Sequence, residues 1–327
     1  MSIDQVLQDF SKLKALIIGD VMMDAYTWGD VDRISPEAPV PVVRVRKRDY
    51  RLGGAANVAL NVQALGAEPL LCSVIGTDLA GDRFNELLKK RNISSIGIVT
   101  SEDRPTTVKT RVISGHQHVV RVDEETDQQL SVPQENELWE RIASLLPGAD
   151  VVIFEDYDKG VISKTLIEKV VALAKEHDIP TVVDPKKRNF LNYSGVTLFK
   201  PNLKELREGL KIDLVSPGRQ ELENGIQSLQ KIMPIRGALI TLSSQGVLIS
   251  LEGESHLLPA HIREIADVSG AGDTVISIAA LCLALGLSPF LIAALSNLGG
   301  GLVCEHIGVI PIDKEDLLKE ARKQNWV

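Results

Sequence analysis

Between residues 274 and 304 the chain carries no charged side chain, and this stretch constrains the fold more than any other. Gly286, Ser288 and Pro289 interrupt it, so neither half reaches the roughly 20 apolar residues of a membrane-spanning helix. It reads instead as two helices that are apolar all round and belong in a protein core. The first opens on Asp267-Val268-Ser269-Gly270-Ala271-Gly272-Asp273-Thr274. Two glycines and an alanine let the backbone bend there without a bulky Cβ. Free N–H groups at such a turn converge on an anion, helped by the helix dipole. Asp273 sits inside this nest. A carboxylate beside a phosphate is repulsive unless it has a task, and taking a proton from an attacking hydroxyl is the obvious one. The same turn also serves as a plain helix cap. A dinucleotide fingerprint needs a third glycine at Val275, and no Gly-Lys pair is present to make a P-loop.

A chain of 327 residues with 44% apolar and 24% charged side chains is ordinary for an α/β protein. Its net charge of −8 argues against non-specific nucleic-acid or membrane binding. A phosphate-bearing ligand must therefore be held by a local cluster, such as residues 44–51, Lys109 with Arg111, or 186–188, although such runs are also common on solvated faces. Cys72, Cys282 and Cys304 are odd in number and set in apolar runs, as buried reduced thiols of a cytoplasmic protein are. The first 14 residues have no apolar signal region, so neither a signal nor a transit peptide is expected.

Residues 15–18 form a short apolar run ending in Gly19-Asp20, the mark of a buried parallel strand whose carboxyl end faces a ligand. Asp20 and Asp24 are placed at that mouth and, with Asn57, suit a cage for sugar hydroxyls, though an Asp after a strand often only caps a turn. Segments 26–51 and 106–123 break the rhythm with alternating valines and basic residues. They are expected to pair into a small sheet that covers the site as a lid and excludes water, an edge hairpin being the plainer alternative. Strands are expected at 70–75, 95–99, 151–154, 181–183, 196–199 and 238–242, and helices at 81–91, 134–146 and 164–177. The result is a doubly wound, mostly parallel sheet in a single domain spanning 1–327. Three strand ends lead into Glu155-Asp156-Tyr157-Asp158-Lys159-Gly160, Asp184-Pro185-Lys186 and Lys200-Pro201-Asn202, more carboxylates and lysines than capping requires. Asn202 and Glu205, three apart, either close a capping box or orient water around magnesium.

Together the Gly53-Gly54-Ala55-Ala56-Asn57 segment, the Asn202 and Glu205 pair and Gly270-Ala271-Gly272-Asp273 resemble the ribokinase-like, phosphofructokinase-B-type carbohydrate kinases, along essentially the whole chain. Segments 19–24, 34–42, 156–160 and 184–186 look most like the kinases of D-glycero-β-D-manno-heptose 7-phosphate in lipopolysaccharide precursor synthesis. The resemblance implies Asp273 as catalytic base, with Gly270, Ala271 and Gly272 as anion hole. It implies Asp24, Gly53, Gly54 and Asn57 on sugar hydroxyls, with Asp20 a further candidate. Asn202 and Glu205 are implied to act through Mg²⁺ and its water on the ATP phosphates, and Thr241, Ser243, Gly246 and Asn297 to line the nucleotide pocket. Asp267 and Ser269 match a pair that binds a monovalent cation such as K⁺. Lys186, Arg111 and Lys109 are assigned to the sugar phosphate because that anion needs paired cations. Ser269 stands where the family usually has Thr, and Glu305-His306-Ile307-Gly308-Val309 departs from its Glu-Lys-x-Gly pattern, which weakens the cation assignment.

The expected reaction transfers the ATP γ-phosphoryl group to the anomeric hydroxyl, giving the 1,7-bisphosphate. Many such heptose kinases are fused to a nucleotidyltransferase. Residues 306–309 lack the second His of a His-x-Gly-His motif and the chain ends at Val327, so that activity is not expected. A kinase of another sugar or sugar phosphate, and a catalytically silent sugar- or nucleotide-sensing protein, are the alternatives. A half-exposed lid sheet suggests a homodimer formed through it.

Overall fold

The computed structural model describes residues 2–115, 117–214, 217–261, 263–324 and 326. Its elements run α1 (Ile3–Asp9), β1 (Lys14–Gly19), β2 (Val21–Ile34), β3 (Pro41–Gly54), α2 (Ala55–Ala64), β4 (Glu68–Gly76), α3 (Leu79–Lys90), β5 (Gly97–Ser101), β6 (Val108–Ser114), β7 (Gln117–Glu124), α4 (Val132–Leu145), β8 (Val151–Glu155), α5 (Lys164–Glu176), β9 (Thr181–Asp184), β10 (Leu198–Phe199), α6 (Leu203–Leu210), α7 (Arg219–Ile232), β11 (Gly237–Thr241), β12 (Val247–Leu251), β13 (Glu254–Leu258), α8 (Ala271–Ala284), α9 (Pro289–Val303) and α10 (Lys314–Arg322).

Strand periodicity decides the layers. Along β1, Ala15 and Ile17 join one core while Leu16 and Ile18 join the other. A strand apolar on both faces needs helices on both. The first core takes α1, α2, α3, α8, α9 and α10, and the second takes α4, α5, α6 and α7. The uncharged stretch is thus explained: α8 and α9 lie side by side, and α8 is buried from Asp273 to Cys282.

The larger sheet has the order β13-β12-β11-β10-β9-β8-β1-β4-β5. It is parallel from β11 to β5, with β12 and β13 added antiparallel. From β1 the chain winds outward through β4 and β5, and from β8 it winds the other way. The winding reverses between β1 and β8, where parallel α/β sheets place their ligands, beyond the carboxyl ends of the strands.

The two irregular segments do pair, in the order β3-β2-β6-β7. The small sheet is larger than the sequence suggested, because β2 starts at Val21 and its pairing with β6 is parallel. Asp24 is consequently a strand residue of this sheet, opposite Arg51 and Lys109, rather than a loop residue at the mouth. Helices α1 and α7 were not expected from the alternation of strands and helices. Each follows a buried stripe, Ile3, Val6 and Leu7 in α1 and Leu222, Ile226 and Leu229 in α7.

Candidate active site

Two helix starts meet at the reversal point. Gly54 precedes α2 with φ of +59°, and a Cβ on Gly53 would run into the Asp24 carboxylate and Met22. Glycine is therefore required for β2 and β3 to pass so close. One turn on, Asn57 is fully buried and donates its Nδ2 to Asp273 Oδ2 at 2.6 Å. The other oxygen of Asp273 accepts Tyr157 Oη at 2.8 Å. Helices α2 and α8 are fixed in this register by Asn61, whose Oδ1 accepts both the Thr274 hydroxyl and the Ile312 amide.

Asp273, in the first turn of α8, is 5% exposed, and burial pushes its pKa up to about 6 against the pull of Asn57 and Tyr157. That value suits a group that must be ionised near neutrality and yet accept a proton. Beside it the Asn57 Oδ1 is buried without a partner. Such an orphan acceptor is costly unless a donor arrives, and a ligand hydroxyl is the matching donor. In the anion nest, the Ala271 amide turns back onto Val268 O at 3.3 Å, while no protein acceptor meets the amides of Gly270 and Gly272 among the described residues.

On the far side of Asp273 lies a packed charge cluster. Lys200 bonds Asp184 at 2.7 Å, and Lys186 bonds Glu205 at 2.6 Å and lies 3.7 Å from Asp184. Burial works against the Asp184 anion, but the two ammonium groups outweigh it and hold its carboxyl below the usual range. Glu155, the last residue of β8, is fully buried and neither of its carboxyl oxygens has a partner. Burial and the charges of Asp184 and Asp273 push its pKa well up.

A cleft of about 580 Å³ opens beside the α8 start. Asn202, Thr241, Ser243, Gly246 and Asn297 line it together with Ala271 and Gly272, as do the apolar Val247, Ile265, Val268 and Val275. Apolar walls for a flat base and hydroxyls towards the anion nest fit a nucleotide. Asn297 holds the cleft wall by donating to Pro259 O at 2.8 Å. Asn202 and Glu205 do form a reciprocal capping box at the start of α6. Glu205 gives one oxygen to the Asn202 amide and the other to Lys186, a donor set that fits magnesium through water rather than by direct ligation.

The proposed cation pair fits less well. Asp267 accepts the Ser269 amide and hydroxyl on Oδ1 and the Gly308 amide on Oδ2, so its carboxylate ties two loops together. Asp20, a further candidate for the sugar, is 1% exposed and accepts the amides of Tyr157, Lys159 and Val161, which makes it the anchor of the 157–161 loop. The three cations assigned to a sugar phosphate are each already engaged. On β6, Lys109 is held by Asp123 and Glu125 and Arg111 is paired with the buried Asp24, while Lys186 is held by Glu205 and lies near Asp184. Tyr157, Glu155 and Lys200 carry the geometry without having been given roles from sequence. Each sits at or just beyond a parallel strand end, the signal that could have marked them.

A nucleotide-sized cleft, an anion nest at a helix start and a buried carboxylate of raised pKa, all at the reversal point of a parallel sheet, define a phosphoryl-transfer enzyme. The model of pfkB family carbohydrate kinases matches residues 12–316. The chain belongs to this family and is an ATP-dependent carbohydrate kinase. It is 38% identical over 316 residues to the bifunctional protein HldE of Desulfatibacillum aliphaticivorans, covering 96% of the chain and 64% of that protein. It is 42% identical over 270 residues to HldE of Helicobacter pylori strain P12, covering 83% and 58%. The chain thus spans less than two thirds of the length of these curated relatives. Among solved structures, Escherichia coli phosphofructokinase-2 in complex with potassium superposes with a TM-score of 0.77 at 18% identity, over 94% of this chain and 97% of the other. Arabidopsis thaliana ribokinase complexed with ribose and ATP gives 0.73 at 16%, over 94% and 99%. These two show the fold. Among the described residues no helix is long and apolar enough to cross a membrane.

Proposed function

We propose that the chain phosphorylates the anomeric hydroxyl of D-glycero-D-manno-heptose 7-phosphate, as one catalytic domain with a lid. The observation that carries the reading is the Asp273 carboxylate, buried, held by two neutral donors and shifted to about 6. The HldE relatives, alike over 96% and 83% of the chain, support the choice of sugar.

Bound ATP supplies the γ-phosphoryl group, and magnesium supplies positive charge for its oxygens. Gly270 and Gly272 offer amides to the anion at the start of α8, and Glu205 with Asn202 orients water on the nucleotide side. Asn57 Oδ1 accepts a hydroxyl of the acceptor, while Asp24, paired with Arg111, accepts another. Asp273 takes the proton of the attacking hydroxyl as the new oxygen–phosphorus bond forms and the bond from the γ-phosphorus to the bridging oxygen breaks, releasing ADP. The lid sheet excludes water, which would otherwise compete for the phosphoryl group.

Replacing Asp273 by Asn should lower kcat by about 10²-fold or more, the usual scale of general-base loss, with ATP affinity nearly intact. Near-normal turnover of Asp273→Asn would remove the base from this scheme. A coupled assay with heptose 7-phosphate against a panel of unphosphorylated sugars tests the acceptor.

A further inference from the structure

Asp273 has two oxygens, and the protein engages both. Asn57 is part of the Gly-rich motif of α2, but Tyr157, which donates to Oδ1 at 2.8 Å, has no task in the scheme above. We propose that Tyr157 is a positioning residue for the proton-transfer step: its phenol steadies the ionised Asp273 carboxylate and turns the free lone pair of that group towards the acceptor hydroxyl. The inference rests on Asp273 being the base.

The phenol is delivered from a rigid frame. Tyr157 lies two residues past the end of β8, beside the point where the sheet reverses. Asp20 accepts the amides of Tyr157, Lys159 and Val161. Asp156 accepts the amide of Asp158 and is held in turn by Asn189 and the buried Tyr193. Such a net leaves the ring little freedom, so its hydroxyl sets where the carboxylate points.

The surrounding charges explain why a neutral donor is needed. Burial and the charge of Asp184 from β9 act against ionisation of Asp273, and Lys200 beyond β10 acts in its favour. A Cβ on Gly272 would lie 3.5 Å from Asp184 Oδ2 and 3.8 Å from Lys200 Nζ, so the pair stands immediately below the turn. Lys200 is already matched to Asp184 at 2.7 Å. A cation bonded directly to Asp273 would favour its anion too strongly and destroy its basicity. Two neutral donors stabilise it only part of the way. Burial and the charges of Asp273 and Asp184 push the Tyr157 pKa well up, so it remains a donor throughout the working range. The Lys186 ammonium, 5.4 Å above the ring, links the same tyrosine to the Glu205 side of the site. In the transfer the acceptor O–H bond breaks, its proton ends on Asp273, and the phenol keeps its own.

Tyr157→Phe removes the hydroxyl and almost nothing else. The acid limb of the kcat/KM profile should move to higher pH by about one unit, the scale of one hydrogen bond to a charged group, while KM for ATP stays within twofold. The carboxyl ¹³C resonance of Asp273 in ligand-free protein should show the same upward move in its titration midpoint. That signal is read on folded protein, so a lower Tm leaves it valid. If Asp273→Asn retains turnover, the base assignment itself fails. If Asp273→Asn is inactive while Tyr157→Phe leaves both the acid limb and the carboxyl titration at their wild-type positions, the base stands and the role given to Tyr157 is overturned.

Discussion

Glu155 is the least comfortable side chain in the site, and its replacement by Gln tests the charge accounting directly. Two ammonium groups, Lys186 and Lys200, face four carboxyls, Asp184, Glu205, Glu155 and Asp273. Protonating Glu155 relieves the imbalance, and its two unpartnered oxygens are tolerable only in that form. In the unfolded chain the same group ionises near its ordinary value of 4.5, whereas in the native state it holds its proton to higher pH. As pH rises above that ordinary value, the unfolded state gains from ionisation and the native state does not. Native stability is then lost at about 1.4 kcal/mol per pH unit until the native pKa is reached.

Gln cannot titrate, so the variant escapes this loss. Its stability relative to wild type should climb with pH by about 1.4 kcal/mol per unit, or about 2.7 kcal/mol over two units. A buried amide adds a pH-independent offset of about 1–3 kcal/mol if its N–H groups are left unpaired. The slope therefore carries the test and the intercept does not. Urea unfolding of both proteins across a pH series measures it. Parallel stability curves, or a variant that loses ground as pH rises, would mean that Glu155 is ionised in the native protein, and the cluster would have to be redrawn with Lys200 shared between Glu155 and Asp184.

Two further predictions concern the lid. Arg111→Ala strips the counter-charge from Asp24, whose side chain is only 3% exposed; stability should fall by about 3 kcal/mol in urea unfolding, and KM for the acceptor should rise while KM for ATP holds, so an unchanged acceptor KM would detach Arg111 from the sugar. We also propose that the lid sheet pairs two chains, because Val120 and Val122 of β7, each 49% exposed, lie on the face opposite Arg121 and Asp123, and Ile34 of β2, Val45 of β3 and Val40 between them are also exposed. Sedimentation should give a two-chain mass that Val120→Lys with Val122→Lys converts to one chain, and a wild-type monomer at micromolar concentration would dismiss the idea.

The fold was largely legible because its strongest signals are local. Strands apolar on both faces, such as residues 15–18 and 151–154, announce a sheet covered on both sides. The uncharged 274–304 stretch announced α8 and α9. What escaped was of two kinds. The stripes of α1 and α7 are present at helical spacing, but the first spans only seven residues and the second contains few apolar residues. The start of the lid sheet was hidden differently. Met22 and Met23 follow β1 so closely that nothing in composition separates a buried parallel strand from the lid strand that continues it, and the break at Asp20 is made by that residue's bonds to a distant loop.

The site was legible in its members but not in its pairings. Asp20 and Asp24 look alike in sequence, four residues apart after the same strand; one accepts three loop amides and the other faces Arg111 across the lid. Asn57 and Tyr157 lie 216 and 116 residues from the carboxylate they share, beyond the reach of any local pattern. The rule that could have joined them is topological. Once β1 and β8 are known to be neighbours at the point where the winding reverses, whatever follows β8 must face the helix starts that follow the lid strands and the 267–270 turn. Tyr157 then becomes the side chain to ask about. Strand order, which no single segment encodes, is what turns a set of polar residues at strand ends into a buried carboxylate with two donors.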